Sequence, residues 1–424
     1  MKKSKKDFGS RWATFGVVGV FLFPLVSYLV FPNQVERTLS VIEKAGAQFA
    51  SMIISHNFRS ADEIKSRYTG SVVDQSNKKV RILIVPGHEP TFGGAEYTHL
   101  KEREMALELG RGLKSFLDQD PRYEVFITRD SNGWTPNFAT YFTDNWDNIV
   151  EWTKASKVDF ARLVSVGAVT QIKSTVIPND VPKSVAYRLY GITKWANENL
   201  IDITIHIHFN DNPRRNVRKS GEYSGFSIYV PASQYGNSTS TKVVADTIFK
   251  RLSKYTPVSN LAGESSGIID GPELIAIGSH NTADSASLLI EYSYIYEPQF
   301  QDREVRSLVI QDLAFQTYLG VHDFFDPENR YTSSGPYDTS LLPYKWDISF
   351  AGTEPTASGI FALQTALIFD DVYPPPGKSK SDCPRTSGFG PCTRTALEFF
   401  QNKHGIIGEK GVMGKKTIEV LNRL

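Results

Sequence analysis

Between residues 80 and 325 the chain alternates short apolar runs with amphipathic stretches of helical period, and this confines the fold more than any other feature. VRILIVPG (80–87) is a continuous apolar run ending in Pro-Gly, the pattern of a strand buried on both faces. LKEREMALELGRGLKSFLDQ (100–119) then places Leu100, Met105, Leu107, Leu109, Leu113 and Phe116 on the apolar side of a helix. YEVFITRD (123–130) is the next strand. Strand, helix, strand is a βαβ unit, so the expected class is α/β, a mostly parallel sheet with helices on both faces. The pattern continues with a helix (184–199), a strand (201–211), a strand (224–230), a helix (240–255), the apolar run ASLLIEYSY (286–294) and a closing helix (303–325).

At 424 residues the chain is too long for one ordinary domain. Residues 326–355 are rich in Pro, Gly, Ser and Thr and read as a linker, and 356–424 form a small all-α unit of three helices. Residues 36–79 read as a stalk, with Val41, Ile42, Ala45 and Phe49 at helical spacing. From about 131 to 183 the α/β unit carries an aromatic-rich insert with Trp134, Phe138, Tyr141, Phe142, Trp146 and Trp152. Those rings could line a groove, form a lid, or bury the insert's own small core.

The first 35 residues predict a membrane anchor. Lys2, Lys3, Lys5, Lys6 and Arg11 stand against Asp7 alone, and Trp12 to Phe31 is free of charge. About twenty apolar residues match the hydrocarbon core of a bilayer, and the preceding positive charge puts the amino terminus in the cytoplasm and the rest outside. The run ends in SYLVFPNQ with no small-x-small site, which favours a retained anchor over a cleaved signal. With the bulk exported, the two cysteines, Cys383 and Cys392, are candidates for a short-loop disulfide, two free thiols being the alternative. Two cysteines are too few for a Cys-rich zinc site, so any metal must rest on His and carboxylates. Lys+Arg of 47 against Asp+Glu of 46 leaves no basic field, which argues against nucleic acid as a partner.

In open α/β sheets ligands gather at the carboxyl ends of the strands. There stand Pro86-Gly87-His88, then Glu102 and Glu104 at the start of a helix, then His206 and His208 on one face of a strand, and Glu291 interrupting an apolar strand. Two histidines and a carboxylate suit zinc with one position open, and a further carboxylate can take a proton from water. Each also has a plain alternative. His88 can be a turn residue, Glu102 a solvated helix face, and either strand histidine a hydrogen-bonded surface group. An acid in a buried strand is the hardest to dismiss, because it costs free energy unless paired or used.

Taken in order, VRILIVPGH, a helix opening on Glu-Arg, YEVFITRD, Ile207-His208-Phe209-Asn210 and LLIEYSY resemble the zinc-dependent N-acetylmuramoyl-L-alanine amidases over about 80–325. The resemblance implies one Zn2+ held by His88, Glu102 and His208, with Glu104 as the fallback for Glu102. It makes Glu291 the general base, leaves Asn210 to support a ligand or face the substrate, and leaves His206 to do either or to be a plain surface histidine. The implied activity is hydrolysis of the amide between N-acetylmuramic acid and L-alanine in peptidoglycan, in wall remodelling or daughter-cell separation.

Leu363-Gln364, Phe389-Gly390-Pro391-Cys392-Thr393, Phe400-Gln401 and the run Gly411 to Thr417 resemble the peptidoglycan-binding helical module, so peptidoglycan is the expected partner of both units. The rim reads Gly87-His88-Glu89-Pro90 where that amidase family has Gly-His-Gly-Gly, and Tyr292-Ser293-Tyr294 follows Glu291 where it has Gly-Phe. A zinc peptidase cutting inside the stem peptide, and a silent wall-binding tether, are the competing expectations.

Overall fold

The computed structural model describes residues 56–73, 79–174, 181–212, 215–327, 339–347 and 355–424. The basic tail and the apolar run Trp12–Phe31 lie outside these residues, as do most of the stalk and most of the linker. Among the described residues no helix is long and apolar enough to cross a membrane.

In chain order the elements are α1 (Ala61–Val73), β1 (Val80–Pro86), the ribbon β2 (Glu96–Tyr97) and β3 (Leu100–Lys101), α2 (Glu102–Leu117) and β4 (Tyr123–Ile127). A second ribbon, β5 (Arg129–Asp130) and β6 (Gly133–Trp134), leads to α3 (Pro136–Asp144), α4 (Trp146–Ser165), α5 (Lys183–Glu198) and β7 (Ile203–Asn210). Then follow β8 (Ser227–Val230), α6 (Ser238–Tyr255), β9 (Ile268–Asp270), β10 (Ala286–Tyr294) and α7 (Arg303–Phe325). Three helices close the chain: α8 (Ala357–Phe369), α9 (Pro391–Lys403) and α10 (Lys415–Leu421).

Six strands form one sheet in the order β4-β1-β7-β10-β8-β9. All neighbours are parallel except β10 and β8, which run antiparallel. The period of two sorts the side chains. Ile82 and Ile84 of β1, Ile203, Ile205 and Ile207 of β7 and Leu288 and Ile290 of β10 join a core with α2, α6 and α7. Leu83 and Val85 face the other way, into a second core with Phe138 and Phe142 of α3, Ile149 of α4 and Tyr190 and Trp195 of α5. The sheet is therefore covered on both faces, and the insert supplies much of the second layer.

Helix α1 falls within the stretch read as a stalk, but it belongs to the folded unit. Its Ile64 and Tyr68 are buried in the first core, with the Tyr68 ring 4.6 Å from Phe325 and 5.6 Å from Tyr123. The four-residue spacing puts both on one helical face. Helices α8, α9 and α10 share a core of their own around Leu363, Leu367, Leu397, Phe400 and Ile418. Cys383 and Cys392 are joined in a disulfide. These helices also reach the α/β part: the Arg385 guanidinium donates to Asp312 of α7 at 2.6 Å, with both side chains buried. Thr339 donates to the same carboxylate at 3.0 Å.

Candidate metal centre

Parallel neighbours β1, β7 and β10 end together, so their carboxyl ends bring distant residues to one place. His88 follows β1, Glu102 opens α2, and His208 lies near the end of β7. One ligand atom from each lies within 4.8 Å of the others. Among the described residues this is the only group of three or more His, Cys, Asp or Glu side chains arranged so that it could hold a metal ion. His88 Nε2 stands 2.8 Å and His208 Nδ1 2.9 Å from Glu102 Oε1.

Local backbone makes this convergence possible. His88 has φ of 69°, in the left-handed region that a branched side chain avoids and that often marks a functional site. Gly87 before it must be glycine, because an added Cβ would stand 2.5 Å from His208 Cε1. Gly94 (φ 87°) passes equally close, its virtual Cβ being 2.8 Å from His88 Cδ2. The altered rim thus keeps a glycine pair, Gly93-Gly94, against His88 and Glu102, displaced four residues along the chain.

Buried Arg129 braces the arrangement. Its guanidinium donates to the carbonyls of Pro86 (3.2 Å) and Gly87 (2.6 Å) on the His88 side, and of Arg103 (2.7 Å) on the Glu102 side. Burial pushes its pKa down to about 10, against the favourable charge of Glu89. Glu102 is held by the amides of Ala95 (2.7 Å, to Oε2) and Phe209 (3.1 Å, to Oε1). Burial opposes its charge, but the His88 and His208 imidazoles outweigh that and hold the carboxyl well below its ordinary range. Burial lowers the pKa of His208, with the Glu102 hydrogen bond opposing it. A charged carboxylate beside a neutral imidazole is the state a metal requires of its ligands.

The donor set passes a further test. His88 Nε2 is out of solvent and, though close to Glu102, makes no well-directed hydrogen bond. Two histidine nitrogens crowd one carboxylate oxygen and only that of His208 is hydrogen-bonded to it, an arrangement that fits a small cation better than a fully satisfied network.

Glu291 lies directly opposite His208 in the β10–β7 register, on the same face of the sheet. Its Oε2 is buried with no hydrogen-bond partner. Burial, then the charges of Glu102 and Glu264, raise its pKa well above the ordinary carboxylate value. A cation on the neighbouring group would act in the opposite direction.

The remaining candidates separate cleanly. Glu104 is exposed and paired with Lys101 at 3.0 Å, outside the cluster. His206 shares the face of His208 but lies one pleat deeper and is buried, with a hydrogen bond to the backbone of Ala276; burial and the neighbouring His208 lower its pKa to about 3. It is therefore no surface histidine. Asn210 turns from the cluster and donates to both oxygens of Glu264 at 2.9 and 3.2 Å. Tyr229 (2.7 Å) and Tyr294 (3.3 Å) complete that buried carboxylate's contacts.

Three residues of the neighbourhood were not singled out for a role: Arg129, Glu264 and Arg188. Thr-Arg at the end of YEVFITRD was the only trace of the first. Glu264 sits in a loop, NLAGESSG, with no pattern to mark it. Arg188 reaches Glu89 at 3.1 Å and was one of several cations on an amphipathic helix.

A covered, mostly parallel sheet thus brings two histidines and a carboxylate that could hold a metal ion to its carboxyl edge, beside an unpaired acid, and this defines the chain as an α/β protein with a candidate metal centre. Residues 82–321 match the family model of the N-acetylmuramoyl-L-alanine amidases, and the chain belongs to that family of peptidoglycan hydrolases. Among solved structures it is similar to an N-acetylmuramoyl-L-alanine amidase from Clostridium difficile 630, at 14% identity over 59% of this chain and 98% of that one, with a TM-score of 0.36. It is likewise similar to the amidase Ami1 of Mycobacterium smegmatis, at 12% identity over 59% and 98%, with a TM-score of 0.38. The amidase AmiC2 of Nostoc punctiforme matches at 16% identity over 58% and 96%, with a TM-score of 0.34. No curated protein sequence matches.

Proposed function

We propose that the protein is a zinc-dependent amidase of the bacterial cell envelope that cuts between the lactyl group of N-acetylmuramic acid and the L-alanine of the stem peptide. Supporting this most directly is the pairing of Glu291 with His208 across β7 and β10, which sets an unpartnered carboxylate beside the His88, Glu102 and His208 group. Zinc held by those three would supply Lewis acidity toward the amide carbonyl and a more acidic water. Glu291 takes the proton from the attacking water and returns it to the departing alanine nitrogen. Arg129 and Gly87 keep the ligand side chains in place.

The apolar run Trp12–Phe31 supports a retained anchor in the cytoplasmic membrane, with the enzyme outside. The Leu-Gln and Phe-Gln signatures of the last seventy or so residues support peptidoglycan binding by α8 to α10.

The test uses zinc-loaded protein on purified peptidoglycan, with new ends identified by mass spectrometry. Release of stem peptides beginning with L-alanine, blocked by a chelator, is expected. New ends inside the stem peptide would replace this reading with a peptidase, and binding without cleavage would replace it with a tether. Glu291→Gln is expected to keep its metal and lose about 10²–10⁴ in rate; near-full activity would remove Glu291 from its role.

A further inference from the structure

Of the seven insert aromatics, Trp134, Phe138, Tyr141, Phe142 and Trp152 are absorbed into the core beneath the sheet's second face, and Phe160 is buried against Tyr235 and His280. Trp146 is not among them. It is half-buried at the start of α4, with Tyr187 edge-on at 6.1 Å and the Arg188 guanidinium over its ring at 5.8 Å. Arg188 in turn donates to buried Glu89 at 3.1 Å, and Glu89 is the residue after His88.

Topology explains the placement. Helix α5 leads into β7, so its first turns lie at the carboxyl edge of the sheet, on the same side as His88 and His208. The site beside them is open: the His88 side chain is 25% exposed. An indole face, a guanidinium with donors to spare and a cation-binding group therefore share one rim.

We propose that Trp146, backed by Arg188, forms a saccharide subsite that holds the N-acetylmuramyl ring of the substrate while its lactyl amide lies at the centre. This deepens the amidase reading and rests on it. A sugar ring has an apolar C–H face that packs on an indole, and ring oxygens and an acetamido carbonyl that accept from a guanidinium. Glu89 fixes the distance between that platform and His88. This assigns a use to Glu89 where the family pattern has glycine.

The test compares two soluble substrates on the full-length enzyme: a disaccharide-peptide, and the matching D-lactyl-peptide that lacks the sugar ring. On the first, Trp146→Ala is expected to raise KM about tenfold with kcat within about twofold of the parent and metal content unchanged. Trp146→Tyr is expected to recover most of the loss. On the lactyl-peptide, parent and Trp146→Ala should be equal, because the contact they differ in is missing. An equal loss on both substrates would make Trp146 a structural residue of the insert, and no loss on either would place the sugar elsewhere; both overturn the subsite. Failure of the amidase reading shows separately, as absence of lactyl–alanine cleavage by the parent enzyme.

Discussion

Replacing Gly87 by alanine tests how the centre is assembled, because the change adds one methyl group and removes no functional atom. The added Cβ would stand 2.5, 2.6 and 2.8 Å from three atoms of the His208 ring. Carbon atoms in contact sit at about 3.5–4.0 Å, so the ring must retreat by about 1 Å. It cannot swing freely: Glu102 holds Nδ1 at 2.9 Å, and β1 and β10 flank its strand. Overpacking of this kind costs about 1–3 kcal/mol, a fall in Tm of only a few degrees for a domain this large. A displacement of about 1 Å at a reacting centre costs on the order of 10²-fold in rate. Gly87→Ala is thus expected to remain folded while losing most bound metal and about 99% of its activity. Metal content after dialysis, amidase rate and a thermal melt measure the three quantities, with Gly390→Ala as control, since nothing lies within 4 Å of a Cβ there. A Gly87→Ala enzyme with full metal and full rate would refute the claim that the β1 turn and His208 share one tightly filled space.

Other consequences are open to direct measurement. Glu102→Gln should abolish metal binding while Glu104→Gln leaves metal and rate within about twofold, because the exposed pair of Glu104 with Lys101 contributes little; metal titration of both variants decides it. Arg385→Ala should cost about 3–5 kcal/mol in denaturant unfolding by leaving Asp312 buried and unpaired, whereas Asp312→Leu with Arg385→Met should recover most of that loss. His206 is held neutral in the fold, its pKa lowered to about 3 from the ordinary 6.5. The unfolded chain therefore takes up the proton first, so stability is complete above about pH 6.5 and declines as pH falls towards 3. At pH 5 the loss from this one group is about 2 kcal/mol, and His206→Leu should flatten the acid limb of the stability curve by that amount.

Much of the centre was legible because it is written in local patterns. Pro-Gly after an apolar run marks a strand end, alternation puts His206 and His208 on one face, and an acid inside ASLLIEYSY stands out against its neighbours. Order along the chain joined these into a family pattern. Ambiguity remained wherever two residues satisfied the same local rule. Glu102 and Glu104 both open a charged helix, and only the packing of α2 against β7 turns one inward. His206 and His208 differ by one pleat, and only the ends of the neighbouring strands decide which reaches the edge.

Other features left little or no local trace. Arg129 and Glu264 act on carbonyls and side chains far away in sequence, so Arg129 shows only as the Thr-Arg at the end of YEVFITRD and nothing beside Glu264 marks its use. The helix at 61–73 has the same amphipathic spacing whether it stands free or packs on Phe325. The sequence by itself determined the elements, their alternation and the residue types able to bind a metal, because these follow from side-chain periodicity and chemistry. Only the tertiary structure decided which of those residues meet and which insert aromatic remains free of the core, because parallel strands are paired across long connections and their register is a property of the whole sheet.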